Sequence, residues 1–206
     1  MRPRRLVRAP AVLLLAAALC APAAAAAAED QLNRGFASLG VGFLQPMSND
    51  FDSTYDTSFG MLLEGGFILG VGPSGLALAP TAAFRYYALN DDVGQDYNAW
   101  AWQLYAGLKA GFAARGLFLF GEADVGLSTL QYSICVLGFC NRADETDFML
   151  RFGGGADYAL LSFLAVGGEL GFPIVFSDQS GGTTEDTVGF ELVAYAKFLF
   201  PAHAVR

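Results

Sequence analysis

The chain has 206 residues, 54% of them hydrophobic, with 25 glycines, 18 phenylalanines and a formal net charge of −8. That length and composition suit one domain rich in strand and turn. The acidity argues against nucleic acid as a partner, and after the N-terminal segment no run of 18 apolar residues remains to form a transmembrane helix.

The N-terminal segment reads as an export signal. Arg2, Arg4, Arg5 and Arg8 form a basic region, an apolar run follows from Ala11, and the alanine tract to Ala28 offers small-residue cleavage sites. The expected division is a signal peptide over residues 1–28 and a mature domain over 29–206. An uncleaved anchor and a lipoprotein site at Cys20 compete with this. Pro22 and the small residues around it weigh against the first, and Leu19 before Cys20 against the second. Without the signal, 8 basic residues face 20 acidic ones.

Beyond it the hydrophobic pattern has period two, which marks strands with two different faces. The first strand is expected over Gly35 to Gln45, with Ala37, Leu39, Val41 and Phe43 on one face. A polar, acidic loop runs from Pro46 to Thr57. The second strand covers Ser58 to Leu69, with Phe59, Met61, Leu63, Phe67 and Leu69 opposed to Ser58, Gly60, Leu62, Glu64 and Gly66. Gly70 to Gly75 is a tight turn. The third strand covers Leu76 to Leu89 and places Arg85 and Tyr87 on the less apolar face. Pro80 cannot donate to a ladder, so a bulge is expected near it. Asn90 to Asn98 is a second acidic loop.

The clearest stretch is Ala99 to Leu127. Trp100, Trp102, Leu104, Ala106, Leu108, Ala110 and Phe112 form an uncharged set against Gln103, Tyr105, Gly107, Lys109 and Gly111. Arg115-Gly116 supplies a hairpin turn. The next strand sets Leu117, Leu119, Val125 and Leu127 against Phe118, Phe120, Glu122 and Asp124. This register puts Lys109 opposite Glu122. A loop from Leu130 to Glu145 holds Cys135 and Cys140. In an oxidising compartment the pair is expected to close a small disulfide loop at a hairpin tip; two free thiols are the alternative. Thr146 to Tyr158, Phe163 to Ile174 and Thr187 to Phe200 complete eight strands, with a short turn over Ala159 to Ser162 and a polar loop from Ser177 to Asp186.

Long polar loops therefore alternate with short turns. The loops hold most of the acidic residues. The remaining charges, including Glu64, Arg85, Lys109, Glu122, Arg151, Glu169, Glu191 and Lys197, all fall on the less apolar face. The apolar face carries none. A charge at mid-bilayer costs about 2–4 kcal/mol for Arg or Lys, so this pattern fits an all-β, eight-stranded, antiparallel up-and-down barrel that spans a membrane with its charges inward. Such charges need partners. Lys109 with Glu122, Arg151 with Glu169 and Glu64 with Arg85 are the expected ladder neighbours, and they would fill a narrow bore with ion pairs.

With a signal sequence, a first strand FASLGVGF and a last strand VGFELVAYAKFLF, the chain resembles the small eight-stranded outer-membrane barrels, the family of the OmpA transmembrane domain and OmpX. The resemblance implies an outer-membrane location, with lipid and lipopolysaccharide around the barrel. It also implies insertion by the barrel-assembly machinery, which reads terminal aromatics matched here by Phe198 and Phe200. Pro201 to Arg206 depart from the family in following those aromatics.

The expected role is a non-enzymatic scaffold that presents four acidic loops for envelope support or surface binding, with no cofactor and no catalytic residues. Asp91, Asp92 and Asp96 are weak candidates for a divalent cation, against the plainer reading of a solvated loop. Two other classes compete. A lipid-A-modifying enzyme would need a Ser-His-acid arrangement, and the chain's one histidine is His203, past the last strand. A small-solute pore would use the space left by Gly40, Gly42, Gly107, Gly111, Gly153 and Gly155.

Overall fold

The computed structural model describes residues 32–47, 57–71, 75–89, 97–114, 116–136, 139–177 and 186–201, with backbone alone at 97–98, 134–136 and 139–142. The expected signal peptide, Asp91, Asp92, Asp96, most other loop acids and His203 lie outside the described residues.

Eight strands follow one another: β1 (Arg34–Pro46), β2 (Ser58–Gly70), β3 (Leu76–Leu89), β4 (Tyr97–Ala114), β5 (Leu117–Val136), β6 (Phe139–Leu161), β7 (Leu164–Phe176) and β8 (Thr187–Pro201). Each pairs antiparallel with the next, and β1 with β8 closes the barrel. Closure leaves no strand edge at barrel height, which a sheet in lipid requires. Among the described residues no helix is long and apolar enough to cross a membrane.

The period-two pattern decides which way each side chain points. Leu39, Val41, Phe59, Met61 and Leu63 are each more than half exposed on the outer wall. The alternate positions, such as Leu62, Glu64, Arg85, Tyr105 and Lys109, are buried in the bore. An apolar wall running round a whole molecule is stable only against lipid, because soluble monomers expose contiguous apolar patches of a few hundred Å² at most. Aromatic rings gather toward the end of the long connections, where Phe43 and Phe172 each approach Phe190, at 6.2 and 5.6 Å between centroids, and Phe84 stacks on Trp102 at 6.4 Å. Aromatic girdles of this kind mark the edge of the hydrocarbon.

On β5 the outward apolar run ends at Leu127, opposite Phe148. The next outward rung is Thr129 opposite Thr146, with the two hydroxyls 2.8 Å apart. On the rung above, Gln131 Oε1 accepts the indole N–H of Trp100 at 2.6 Å. Leu117 to Leu127 is thus the span within the apolar wall, and its length matches the roughly 9–11 residues a tilted strand needs to cross a bilayer.

Four expectations are corrected. The stretch from Leu130 to Glu145 is not a loop: the β5–β6 ladder continues from Leu130↔Glu145 to Val136↔Phe139, and β4 accompanies it as far as Tyr97↔Ile134. On β5 the alternation reverses phase there: Thr129, Gln131 and Ser133 are the polar set, while Leu130 and Tyr132 pack on the apolar cluster of the bore, so the strand continues where its outward apolar pattern stops. Second, Pro80 makes no bulge. The β2–β3 ladder drops the rungs between Gly66↔Thr81 and Leu69↔Leu78 and resumes in the same register. Pro173 does the same between β7 and β8. Third, the register shift falls between Ala159 and Leu161, where Leu160 is an extra residue on β6. That pushes the β6–β7 turn to Ser162 and Phe163. Fourth, the glycines of the bore do not leave open space. A Cβ built at Gly107 would overlap Asp124 Oδ1, one at Gly111 would overlap Leu119 O, and one at Gly155 would overlap Gly168 O. At these positions glycine lets strands and side chains approach closely.

The turn at Gly116 behaves as its sequence requires: the residue takes φ +82°, between Ala114 and Leu117, which pair with each other. Apolar clusters fill both ends of the bore. Phe36, Ile68, Ala77, Ala79, Phe118, Phe120 and Leu199 pack at the end of the short turns. Leu44, Tyr87, Leu89, Ala99 and Ala101, backed by Leu130 and Tyr132, pack at the end of the long connections.

Candidate functional site

Between those two clusters the bore holds ten charged side chains. Six are carboxylates, Glu64, Glu122, Asp124, Asp157, Glu169 and Glu191, and four are cations, Arg85, Lys109, Arg151 and Lys197. All are buried. A buried charge is costly unless it is paired and hydrogen-bonded, so their partners decide whether the barrel can fold.

Lys109 stands directly opposite Glu122 in the β4–β5 ladder. Its nearest partners nevertheless come from elsewhere: Glu64 Oε1 on β2 at 2.6 Å and Glu169 Oε2 on β7 at 3.0 Å, against 3.5 Å for Glu122 Oε2. Oxygens of these three carboxylates lie within 4.8 Å of one another. The ammonium therefore fills the place a metal ion would take, so the triad is a lysine socket.

The two arginines form the centre. Arg85 donates to Glu169 and Glu191 across the bore and through Nε to the Tyr105 hydroxyl at 2.5 Å. Arg151 donates to Glu122 at 2.6 Å, Asp124 at 2.9 Å, Glu169 at 3.1 Å and Glu191 at 2.8 Å. Glu169 Oε1 and Glu191 Oε2 each accept from both guanidiniums, so two carboxylates bridge two like charges. Tyr87 donates to the other oxygen of Glu191 at 2.9 Å. Lower in the bore, Lys197 and the Tyr195 hydroxyl both donate to Asp157. The Lys197 ammonium also lies 4.4 Å from the Phe36 ring centroid, and that of Lys109 lies 4.6 Å from Phe120. Contacts of this kind add attraction where water is excluded.

Two expected pairs take a different form. Arg151 is not opposite Glu169 in the ladder: its rung partner is Pro173, and Glu169 faces Gly155. The extra residue at Leu160 and a turn placed further along moved the register, and the length of the arginine bridges the offset. Glu64 is a diagonal neighbour of Arg85 in the β2–β3 ladder, yet Glu64 binds Lys109 while Arg85 reaches across to β7 and β8. Asp124, Asp157, Tyr87, Tyr105 and Tyr195 complete the network. Their parity put them on the inner face, but sequence alone gave no partner for them.

Glu64 Oε2 and Asp124 Oδ1 have no hydrogen-bond partner. Among the described residues the bore offers no nucleophile–base arrangement. Its chemistry is electrostatic: it ties seven strands, β2 to β8, together across the bore.

A second feature stands at the long-connection end. From Thr129 and Thr146 upward, β5 and β6 continue as a hairpin arm with β4 alongside. Leu127 to Val136 extends about 30 Å along the strand at ~3.3 Å per residue, and roughly 20 Å above the apolar wall at a usual barrel tilt.

A closed eight-stranded antiparallel barrel with a lipid-facing apolar wall and a charged, filled core defines a small integral membrane barrel. The family model described as the outer membrane protein beta-barrel domain matches residues 11–195. The chain belongs to that outer-membrane family, and its location is accordingly the outer membrane. No curated protein matches the sequence.

Solved structures share the fold at low identity. Neisserial surface protein A (NspA) aligns at 12% identity with a TM-score of 0.58, over 80% of this chain and 96% of that one. Ail, the attachment invasion locus protein of Yersinia pestis, aligns at 13% and 0.54, over 82% and 99%. A major outer membrane protein from Thermus thermophilus aligns at 13% and 0.50, over 81% and 99%.

Proposed function

We propose that the protein is a non-enzymatic scaffold whose working surface is the long-connection end, turned to the outside of the cell. The observation that carries this reading is the filled bore: the ion-pair network is capped by apolar clusters at both ends. A barrel built in this way gives its interior to stability, and its loops and arm remain for function. An even strand number puts both chain ends on the short-turn side, which an exported barrel holds in the periplasm. Insertion by the barrel-assembly machinery and contact with lipopolysaccharide belong to the same reading.

The loops are acidic, so the ligand class they favour is cationic: a divalent ion bridging to lipopolysaccharide phosphate, or a basic surface of another molecule. Asp91, Asp92 and Asp96 are the place to test the ion. Millimolar calcium should slow amide exchange in that loop, and no change would remove the ion from the proposal. Ail has been crystallised with a heparin analogue, sucrose octasulfate; the acidity of this chain argues against a polyanion of that kind here.

Planar-bilayer recording separates the scaffold from a pore. The purified protein should show no steady conductance of porin size, and such a conductance would overturn the scaffold reading. Lipid A should remain unaltered on overexpression, whereas a changed acyl pattern would establish an enzyme. A cysteine placed at Asp92, in a Cys135→Ser/Cys140→Ser background, should label on intact cells with a membrane-impermeant maleimide. Labelling only after lysis would reverse the orientation.

A further inference from the structure

The β5–β6 ladder holds a single register from Leu117↔Tyr158 to Val136↔Phe139. At its base the Ala159 N–H donates to Gly116 O at 2.8 Å. That bond makes Gly116 and Ala159 a hydrogen-bonded pair. In an antiparallel ladder such pairs alternate with non-hydrogen-bonded ones, so even-numbered β5 residues are of the first kind and odd-numbered ones of the second. Cys135, directly opposite Cys140, therefore belongs to a non-hydrogen-bonded rung. Opposed Cα atoms there stand about 4.5 Å apart, inside the roughly 4.4–6.8 Å that a disulfide spans. Both cysteines share the strand face that, further down, carries Leu127 and Phe148.

The arm above the membrane needs support. β7 ends at Phe176, opposite Phe148, so among the described residues Phe139 to Asp147 of β6 pair with β5 alone. Among the described residues β4 covers the other side of β5 as far as Tyr97↔Ile134. A narrow ladder in water is marginal without a covalent or packed restraint, and a slip of one residue would exchange its two faces.

We propose that Cys135 and Cys140 form a cross-strand disulfide that locks the arm in register, and that reducing it frees the arm without disturbing the barrel. In forming the bond the two thiols lose two protons and two electrons to the disulfide of an exported thiol–disulfide donor protein, which leaves as a dithiol. The outer-membrane location places the chain on the route where such donors act. The inference rests on that location and on the ladder, not on the arm's having a ligand, so it and the scaffold reading fail separately.

The experiment uses the full protein, extracted without reductant and treated at once with an alkylating agent. The peptides carrying Cys135 and Cys140 should remain unlabelled until a reductant is added. Amide exchange is then compared before and after reduction, and in Cys135→Ser/Cys140→Ser. Peptides within 129–146 should exchange at least about tenfold faster without the bond, while those within 117–127 stay unchanged. Alkylation of both thiols before reduction would overturn the bond. A bond that is present but leaves exchange across 129–146 unchanged on reduction would overturn its role as the lock.

Discussion

Replacing Arg151 with methionine keeps an unbranched apolar stem and removes the cation that four buried carboxylates share. Their fates differ. Glu169 retains Lys109 and Arg85, and Glu191 retains Arg85 and Tyr87. Glu122 keeps only Lys109, at 3.5 Å. Asp124 loses its one hydrogen-bond donor, because its other oxygen already has none. Breaking a buried pair by removing one partner costs about 3–5 kcal/mol, or roughly a hundredfold to several thousandfold in the folding equilibrium. Arg151→Met should therefore lower unfolding stability by that amount in urea titrations from lipid vesicles, followed by the gel shift between folded and unfolded forms. Arg151→Met/Asp124→Asn should recover about 1–2 kcal/mol of it, since the stranded charge is then gone. A loss below about 0.5 kcal/mol, or a double variant no better than the single, would refute the assignment of Arg151 as the shared counter-ion.

Further outcomes follow from the same geometry. Lys197→Met should cost less than Arg151→Met in the same titration, because Tyr195 still donates to Asp157 after the ammonium is lost. Gly107→Ala should destabilise the barrel by about 1–3 kcal/mol, as overpacking does. Gly121→Ala should stay within about 0.5 kcal/mol, since its Cβ would meet nothing closer than Gly153 O at 3.9 Å on the lipid side. Ala123→Arg, at mid-height on the outer wall, should cost about 2–4 kcal/mol, whereas Asp144→Arg on the exposed arm should leave folding unchanged.

The parts of the structure that local spacing dictates were legible in the sequence. Lys109 and Glu122 could be set opposite each other because a two-residue turn at Gly116 fixes that hairpin. The outward and inward sets followed from period two wherever lipid covers one face. Other features depend on closure of the barrel. Arg85 on β3 meets Glu191 on β8 across the bore, and no ladder register within a hairpin announces that meeting. Leu160 shifted the β6–β7 register by an amount that turn length alone did not reveal. The arm was not legible as strand because the outward apolar set ends at Leu127 and the alternation of β5 then reverses phase, with Leu130 and Tyr132 turned to the bore cluster. The competing pore would have needed the luminal glycines as space, but neighbouring atoms fill it at Gly107, Gly111 and Gly155.

The central claim is that β5 crosses the membrane between Leu117 and Leu127, with odd-numbered residues in lipid, and leaves it at Thr129. Nitroxide labels placed singly along residues 117–133, in the Cys135→Ser/Cys140→Ser background, read this directly through collisions with oxygen and with a water-soluble nickel complex. Oxygen access should peak at 117, 119, 121, 123, 125 and 127 and vanish at the even positions between them, with nickel access replacing it at the outward positions 131 and 133. High oxygen access at 118, 120, 122 and 124, or nickel access at 123 and 125, would contradict the account.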